Sequence, residues 1–142
     1  MALIIDIADA VVSELNDAAF GTPFTATRAY VPRFDLEEMG TLRVTVVPKG
    51  VEISTASRSG HQHDYRIDIG VQRKFEQEEA AELDPLMDLV EEIADHFRGA
   101  VLETDPQASC VGVENGPIYA QEHMREGRLF TSVLTCTYRT WR

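Results

Sequence analysis

The chain has 142 residues, and its 13 Lys and Arg side chains against 24 Asp and Glu give a formal net charge of −11. This length suits one contiguous hydrophobic core, so we predict a single domain over residues 1–142. Binding to nucleic acid needs cationic groups that displace counterions from phosphates, so the acidic balance argues against a DNA- or RNA-binding protein. The apolar runs are too short to span a bilayer, and the first residues lack a signal-peptide pattern. We therefore expect no membrane partner.

The two cysteines, Cys110 and Cys136, do not have the spacing of a metal or redox motif. Two cysteines in a chain of this length do not make a disulfide framework either. Both are predicted to be reduced packing residues, and Cys136 lies within a strand pattern where a small hydrophobic side chain fits.

The first part of the chain predicts one helix followed by strands. Apolar residues recur there at three- and four-residue steps until Gly21 and Pro23 end the helix. Pro48-Lys49-Gly50 is typical of a turn, which predicts a hairpin between the strands on either side. The predicted elements are a helix over 3–19, a strand over 24–31, a loop or short helical turn over 32–40, and strands over 42–47 and 51–55.

The second part contains the clearest alternation of apolar and polar residues, over residues 65–75. Asp84 as the N-cap and Pro85 at the first position predict the start of a second helix, and Gly99 predicts its end. The predicted elements are a solvated connection over 56–64, a strand over 65–75, an acidic linker over 76–83, a helix from Asp84 to Gly99, a weak strand over 109–113 and a long strand over 129–141.

This order predicts an α+β fold, in which a largely antiparallel sheet has two main helices packed on one face. The other face is predicted to be mostly polar, with valines among the polar positions. It carries Arg66, Asp68, Gln72, Lys74, Thr135, Thr137, Val47 and Val133. A face of this kind is either exposed to water or buried between subunits.

Three groups of residues resemble fragments of catalytic or metal sites. His61 and His63 alternate on a strand, but a metal site needs further ligands. Glu92 and His96 are one helical turn apart without the H-E-x-x-H pattern, and the pair Glu37-Glu38 has no partner that would set its pKa values apart. Phosphate loops, nucleophile elbows and dinucleotide fingerprints are absent from the sequence. We therefore predict that the chain is not an enzyme and that it needs neither a metal nor a cofactor.

A modest basic zone in this acidic chain is the candidate surface for a partner, either an acidic protein or a neighbouring copy of the chain. The predicted partner-binding residues combine this zone with the connection before it. They are Arg58, Ser59, Gly60, His61, Gln62, His63, Arg66, Arg73 and Lys74.

Five segments in the same order resemble the tail-terminator and neck proteins of long-tailed bacteriophages. They are Phe34-Asp35-Leu36-Glu37-Glu38, Thr41-Leu42-Arg43-Val44-Thr45-Val46-Val47-Pro48, Tyr65-Arg66-Ile67-Asp68-Ile69-Gly70-Val71-Gln72, Leu89-Val90-Glu91-Glu92-Ile93 and Phe130-Thr131-Ser132-Val133-Leu134-Thr135. The resemblance implies a structural virion protein, assembled in the host cytoplasm, that forms a ring of self-associating copies, commonly six. Such a ring ends growth of the tail tube and meets a head-completion or neck protein. No catalytic residues are transferred, and the segment 57–63 corresponds to loops that engage neighbouring rings.

The size of the chain is compatible with such a ring. A compact chain of this length has a radius of gyration of about 14–15 Å and a width of roughly 37 Å, so six copies leave a channel wide enough for duplex DNA. Acidic walls would let DNA pass without specific binding. The alternatives are another neck component, such as a head-closure or head–tail adaptor protein, and a small bacterial α+β domain that dimerises to bind a partner.

Overall fold

The computed structural model describes residues 2–30, 42–55, 58, 60–75, 80–104, 107–116 and 129–141. In chain order the elements are α1 (Leu3–Asp17), β1 (Ala26–Arg28), β2 (Arg43–Thr55), β3 (His61–Lys74), α2 (Ala80–Phe97), β4 (Val101–Leu102), β5 (Ala108–Asn115) and β6 (Leu129–Trp141). The strands form one sheet in the order β1-β2-β3-β6-β5-β4, in which only β1 and β2 are parallel. The predicted α+β fold with a largely antiparallel sheet is confirmed.

The hydrophobic core lies between the sheet and the two helices. α1 packs on β1 and β2, whereas α2 packs on β5 and β6. Alternate residues of a strand face the same side of a sheet, so over most of β3 and β6 the helix-facing side chains are buried and their neighbours are not. Gln72, Leu129 and Thr131 are the exceptions, since they are buried on the other face. The central members of the helix-facing set are Tyr65, Ile67, Ile69, Val71, Phe130, Leu134, Cys136 and Tyr138. The predicted apolar stripe of α2 is buried against them, and it consists of Leu86, Leu89, Val90, Ile93 and Phe97.

The predicted turn at Pro48-Lys49-Gly50 is wrong, because β2 continues through it as one strand. The register with β3 shifts between Pro48 and Gly50, so Lys49 is the extra residue of a β-bulge. Proline is tolerated here because β1 reaches only as far as Val46, whose carbonyl accepts the Ala29 N–H at 2.9 Å. The backbone nitrogen of Pro48, two residues later, points to the same side of β2. No described strand lies there, so no hydrogen bond is lost because proline lacks an N–H.

The hairpin therefore consists of β2 and β3, and the connection between them is shorter than predicted. Residues 61–64, predicted as part of a solvated loop, are strand. His61, Gln62 and His63 pair with Thr55, Ser54 and Ile53 on β2, and β6 pairs with the other side of β3. Backbone pairing on two sides compensates for the lack of large apolar side chains in this segment.

The predicted start of the second helix at Asp84 is also wrong. α2 begins at Ala80 and contains Pro85, while half-buried Leu83 extends the apolar stripe toward the N-terminus. A proline this close to the start of a helix removes one backbone hydrogen bond and leaves the turn before it in place. The end is as predicted, since Gly99 adopts a φ of 73°, which glycine tolerates best.

The remaining elements agree with the predictions at their centres. The strand predicted over 24–31 is shortened to Ala26–Arg28, and the weak strand over 109–113 extends to Ala108–Asn115. β6 has the predicted bounds. Cys110 and Cys136 are free and buried, which confirms their prediction as packing residues. The predicted loop over 32–40, including Glu37-Glu38, and residues 76–79 of the predicted acidic linker lie outside the described residues. The linker prediction is wrong for residues 80–83, which belong to α2.

One side chain of α1 forms hydrogen bonds with the outer edge of β1. The Asn16 amide oxygen accepts the Ala26 N–H at 2.7 Å, and its amide nitrogen donates to the Ala26 carbonyl at 3.2 Å. This amide supplies the hydrogen bonds that another strand would make.

A helix longer and more apolar than either α1 or α2 would be needed to cross a membrane, so no membrane-spanning helix occurs among the described residues.

Candidate interaction surface

The sheet has one end that its helices do not cover. Val44 and Val46 of β2 are buried, but every described residue from Val51 to Thr55 is exposed. Ile53 is 60% exposed and Trp141 of β6 is 59% exposed. Both lie at this end, because Gln62 of β3 pairs with Ser54 on one side and with Trp141 on the other. We call residues 49–55, 58 and 60–66, together with Trp141, the hairpin end.

The hairpin end has a small excess of positive charge in a chain of net charge −11. Its cations are Lys49, Arg58 and Arg66, and its carboxylates are Glu52 and Asp64. Arg66 pairs with Glu52 at 3.1 Å, and Lys49 lies 3.8 Å from Asp68. These pairs are solvent-accessible, so they contribute little to stability and leave the cations available to a partner.

Asp64 and Arg139 form a bidentate ion pair at this surface. Two guanidinium nitrogens donate to the two Asp64 oxygens at 2.9 and 3.2 Å, and Gln62 adds a third hydrogen bond to the carboxylate at 3.2 Å. The hydrogen bond from Arg139 holds the pKa of Asp64 below its ordinary value. The pair therefore joins β3 to β6 at the base of the hairpin end.

Replacing Asp64 with asparagine is expected to destabilise the protein at neutral pH and to have a smaller effect in acid. Because folding lowers the pKa of Asp64, its contribution is fully present above the ordinary aspartate pKa of about 4 and is lost as the pH falls through the lowered value. Urea unfolding of wild type and Asp64→Asn at pH 7 and pH 3 measures this difference. The matched control is Asp84→Asn on the exposed side of α2, and an equal effect of Asp64→Asn at both pH values would contradict the prediction.

The structure divides the predicted partner-binding residues into two groups. Arg58, Gly60, His61, Gln62, His63 and Arg66 lie at the hairpin end. Arg73 and Lys74 lie at the opposite end of β3, seven or more residues from Arg66, which is roughly 23 Å along a strand. They border a cleft of about 420 Å³ beside the start of α2. Ser59 lies outside the described residues. The predicted basic zone is therefore two separate surfaces.

The histidines that resembled metal ligands have other contacts. His63 is buried and stacked on Tyr65, with its Nδ1 atom 3.3 Å from the His61 carbonyl oxygen. On α2, Glu92 accepts the Gly21 N–H at 2.9 Å and His96 lies 3.1 Å from Glu14 of α1. Groups of three or more metal-ligating side chains are not found in the part of the chain that the structure describes.

The sheet face opposite the helices has many polar groups that are paired within the chain. Thr135 donates to Asp68 at 2.8 Å, and Arg139 donates to Asp64 at 2.9 Å. An open cleft of about 440 Å³ on this face is lined in part by Lys49, Arg66, Glu114 and Thr135. Polar pairs of this kind suit contact with water better than a dry interface between two sheets.

Charge is unevenly divided between the two layers of the fold. α1 and α2 together carry ten acidic side chains and neither lysine nor arginine. The six strands carry seven lysine and arginine side chains against four acidic ones. The sequence analysis identified a local basic zone but missed this division, although acidic residues cluster in residues 3–17 and 80–97.

Comparison with known proteins gives no assignment for this arrangement. No protein-family profile matches the chain, and no curated protein matches it.

Proposed function

We propose that the protein is a structural, self-assembling subunit of a ring at the head-proximal end of a bacteriophage tail tube. The ring would end tube growth, present the surface to which the head joins, and leave a channel for DNA. The resemblance of the five segments to tail-terminator and neck proteins supports this particular assignment. Two of them, Tyr65–Gln72 and Phe130–Thr135, lie side by side in the sheet on neighbouring strands.

The observation that carries the proposal is the division of charge and apolar surface within one subunit. A closed ring needs head-to-tail contacts, in which two different surfaces of the subunit meet. The acidic helices and the cationic hairpin end with its exposed Val51, Ile53 and Trp141 are two such surfaces. Exposed apolar side chains grouped at one end of a sheet are typical of a protein–protein contact.

The same division favours a ring over a dimer formed through the sheet. On the open sheet face, Thr135 is already paired with Asp68 and Arg139 with Asp64. A dimer made through that face would gain few new hydrogen bonds and would have to remove water from groups such as Asp68 and Arg139. The acidic helices, in turn, would keep DNA from adhering to any channel wall that they form.

The test is the native mass of the purified protein, alone and with polymerising tail-tube subunits. We expect a ring, six copies by the resemblance, or else tubes that stop at a finite length when the protein is added. Electron microscopy of the tube lengths gives the second readout. A stable dimer that leaves the tubes unchanged would contradict the proposal and favour a small dimeric binding domain.

A further inference from the structure

The two cysteines of the chain lie on neighbouring strands and belong to the same side of the hydrophobic core. Cys110 of β5 pairs with Tyr138, and Cys136 of β6 pairs with Val113, so the two cysteines occupy diagonal positions across the strand pair. Their side chains are in hydrogen-bonding contact, and both thiols are free. The fold therefore brings the only two thiols of the chain together.

The two thiols differ in how easily a reagent reaches them. Cys110 is 6% exposed, whereas Cys136 is completely buried between β5 and β3. β5 is also the less firmly held strand, because its register with β6 shifts between Cys110 and Gly112 and its other neighbour, β4, pairs with it at only two residues. A small oxidant that enters from this side of the sheet therefore meets Cys110 first.

The surroundings of Cys110 favour the thiolate, which is the reactive form of cysteine. The hydrogen bond from the Cys136 thiol lowers the pKa of Cys110 although burial acts against it, and backbone hydrogen bonds at Gly112 and Gly99 act in the same direction as the thiol. The same contact and burial raise the pKa of Cys136. Cys110 is thus the nucleophile of the pair, and Cys136 is the thiol that keeps its proton.

We propose that Cys110 and Cys136 are a redox-sensitive dithiol, which hydrogen peroxide converts into a disulfide within one copy of the chain. The Cys110 thiolate attacks one peroxide oxygen, the O–O bond breaks, and the hydroxide that leaves takes up the proton lost by Cys110, which gives a sulfenic acid and water. Cys136 then attacks the Cys110 sulfur, and the hydroxyl group leaves with the Cys136 proton as a second water. Two thiols and one peroxide become one disulfide and two waters.

The diagonal positions of the cysteines make the oxidation reversible and visible in the structure. Bonded sulfurs lie about 2.05 Å apart, so the bond requires β5 to shift against β6. A disulfide that displaces a strand is strained, and strained disulfides are the ones that thiol reductants open most readily. Hydrogen exchange should therefore change in β4 and β5 on oxidation and return on reduction. The reaction takes place within one copy, so it does not depend on the proposed ring.

The test is the mass of the native protein after treatment with hydrogen peroxide. We expect a monomer lighter by two hydrogens, without free thiols, whose non-reducing digest contains the peptides of Cys110 and Cys136 joined together. Dithiothreitol should restore the original mass. Both thiols remaining free under conditions that oxidise free cysteine would overturn the inference, and so would a covalent dimer in place of the internal bond.

Two matched variants test the order of the steps. With Cys136→Ala, we expect peroxide to leave a sulfenic acid on Cys110 that dimedone captures, because the second thiol is missing. With Cys110→Ala, the buried Cys136 should stay unmodified. Limited alkylation of wild type with iodoacetamide gives the same comparison if either variant fails to fold, and Cys110 should be modified first. Equal or faster modification of Cys136 in either experiment would contradict the assignment of Cys110 as the nucleophile.

Discussion

Replacing Ile69 with alanine is expected to lower the free energy of unfolding by about 4 kcal/mol. Ile69 is fully buried at the centre of the sheet, where it pairs with Val46 on β2 and with Leu134 on β6. Its helix-facing side chain belongs to the core that both helices cover, so truncation removes apolar contacts and leaves a cavity. Urea unfolding followed by circular dichroism measures the loss.

The matched control is the same substitution at the hairpin end. Ile53 also lies on a strand of the sheet, but it is 60% exposed, so Ile53→Ala should change the free energy of unfolding by no more than about 0.5 kcal/mol. If Ile69→Ala does not fold, Ile69→Val should still show a loss of about 1 kcal/mol. Similar losses for Ile69→Ala and Ile53→Ala would contradict the position of the core.

Asn16→Ala is expected to lower the free energy of unfolding by about 2 kcal/mol, because it weakens the attachment of the edge strand β1. The substitution removes both hydrogen bonds to the Ala26 backbone, and Ala26 is buried, so its N–H and carbonyl groups lose their partners. Hydrogen exchange should show early loss of protection in β1, ahead of β3 and β6.

Asn16→Asp separates the two bonds. Aspartate keeps the acceptor for the Ala26 N–H at 2.7 Å but has no donor for the Ala26 carbonyl. It should therefore lose less stability than Asn16→Ala. An Asn16→Ala variant as stable as wild type would show that β1 is held by its pairing with β2 alone.

The sequence predicts those elements whose local pattern and tertiary environment agree. β3 and β6 alternate along most of their length because one face meets the helices, so periodicity identifies them. The stripe of α2 is predicted for the same reason. Pro48-Lys49-Gly50 and Asp84-Pro85 are misread because their local signals are overridden by longer-range pairing and packing. Turn and capping patterns describe a few residues, whereas a bulge depends on the neighbouring strand.

The candidate surface was predictable only in part. His61, Gln62 and Arg66 were predicted to be near it, but Arg73 and Lys74 were wrongly grouped with them, since distance along a strand grows by about 3.3 Å per residue. The sequence pattern predicts Val51 and Ile53 only as strand residues. Their exposure is known from the structure, in which no described residue covers them. Whether an apolar strand residue is exposed depends on how far the helices extend over the sheet. The sequence pattern within residues 42–55 does not indicate this.

Among the described residues, the carboxylate-rich helices and the net-positive strands also separate charge across the sheet, which gives this part of the subunit an electric dipole. A free subunit should therefore orient strongly in an applied field. In a closed ring with rotational symmetry, the components in the plane of the ring cancel and only the component along the axis remains. Electric birefringence per subunit would then fall on closure, whereas an open chain of head-to-tail copies would not cancel its in-plane components in this way.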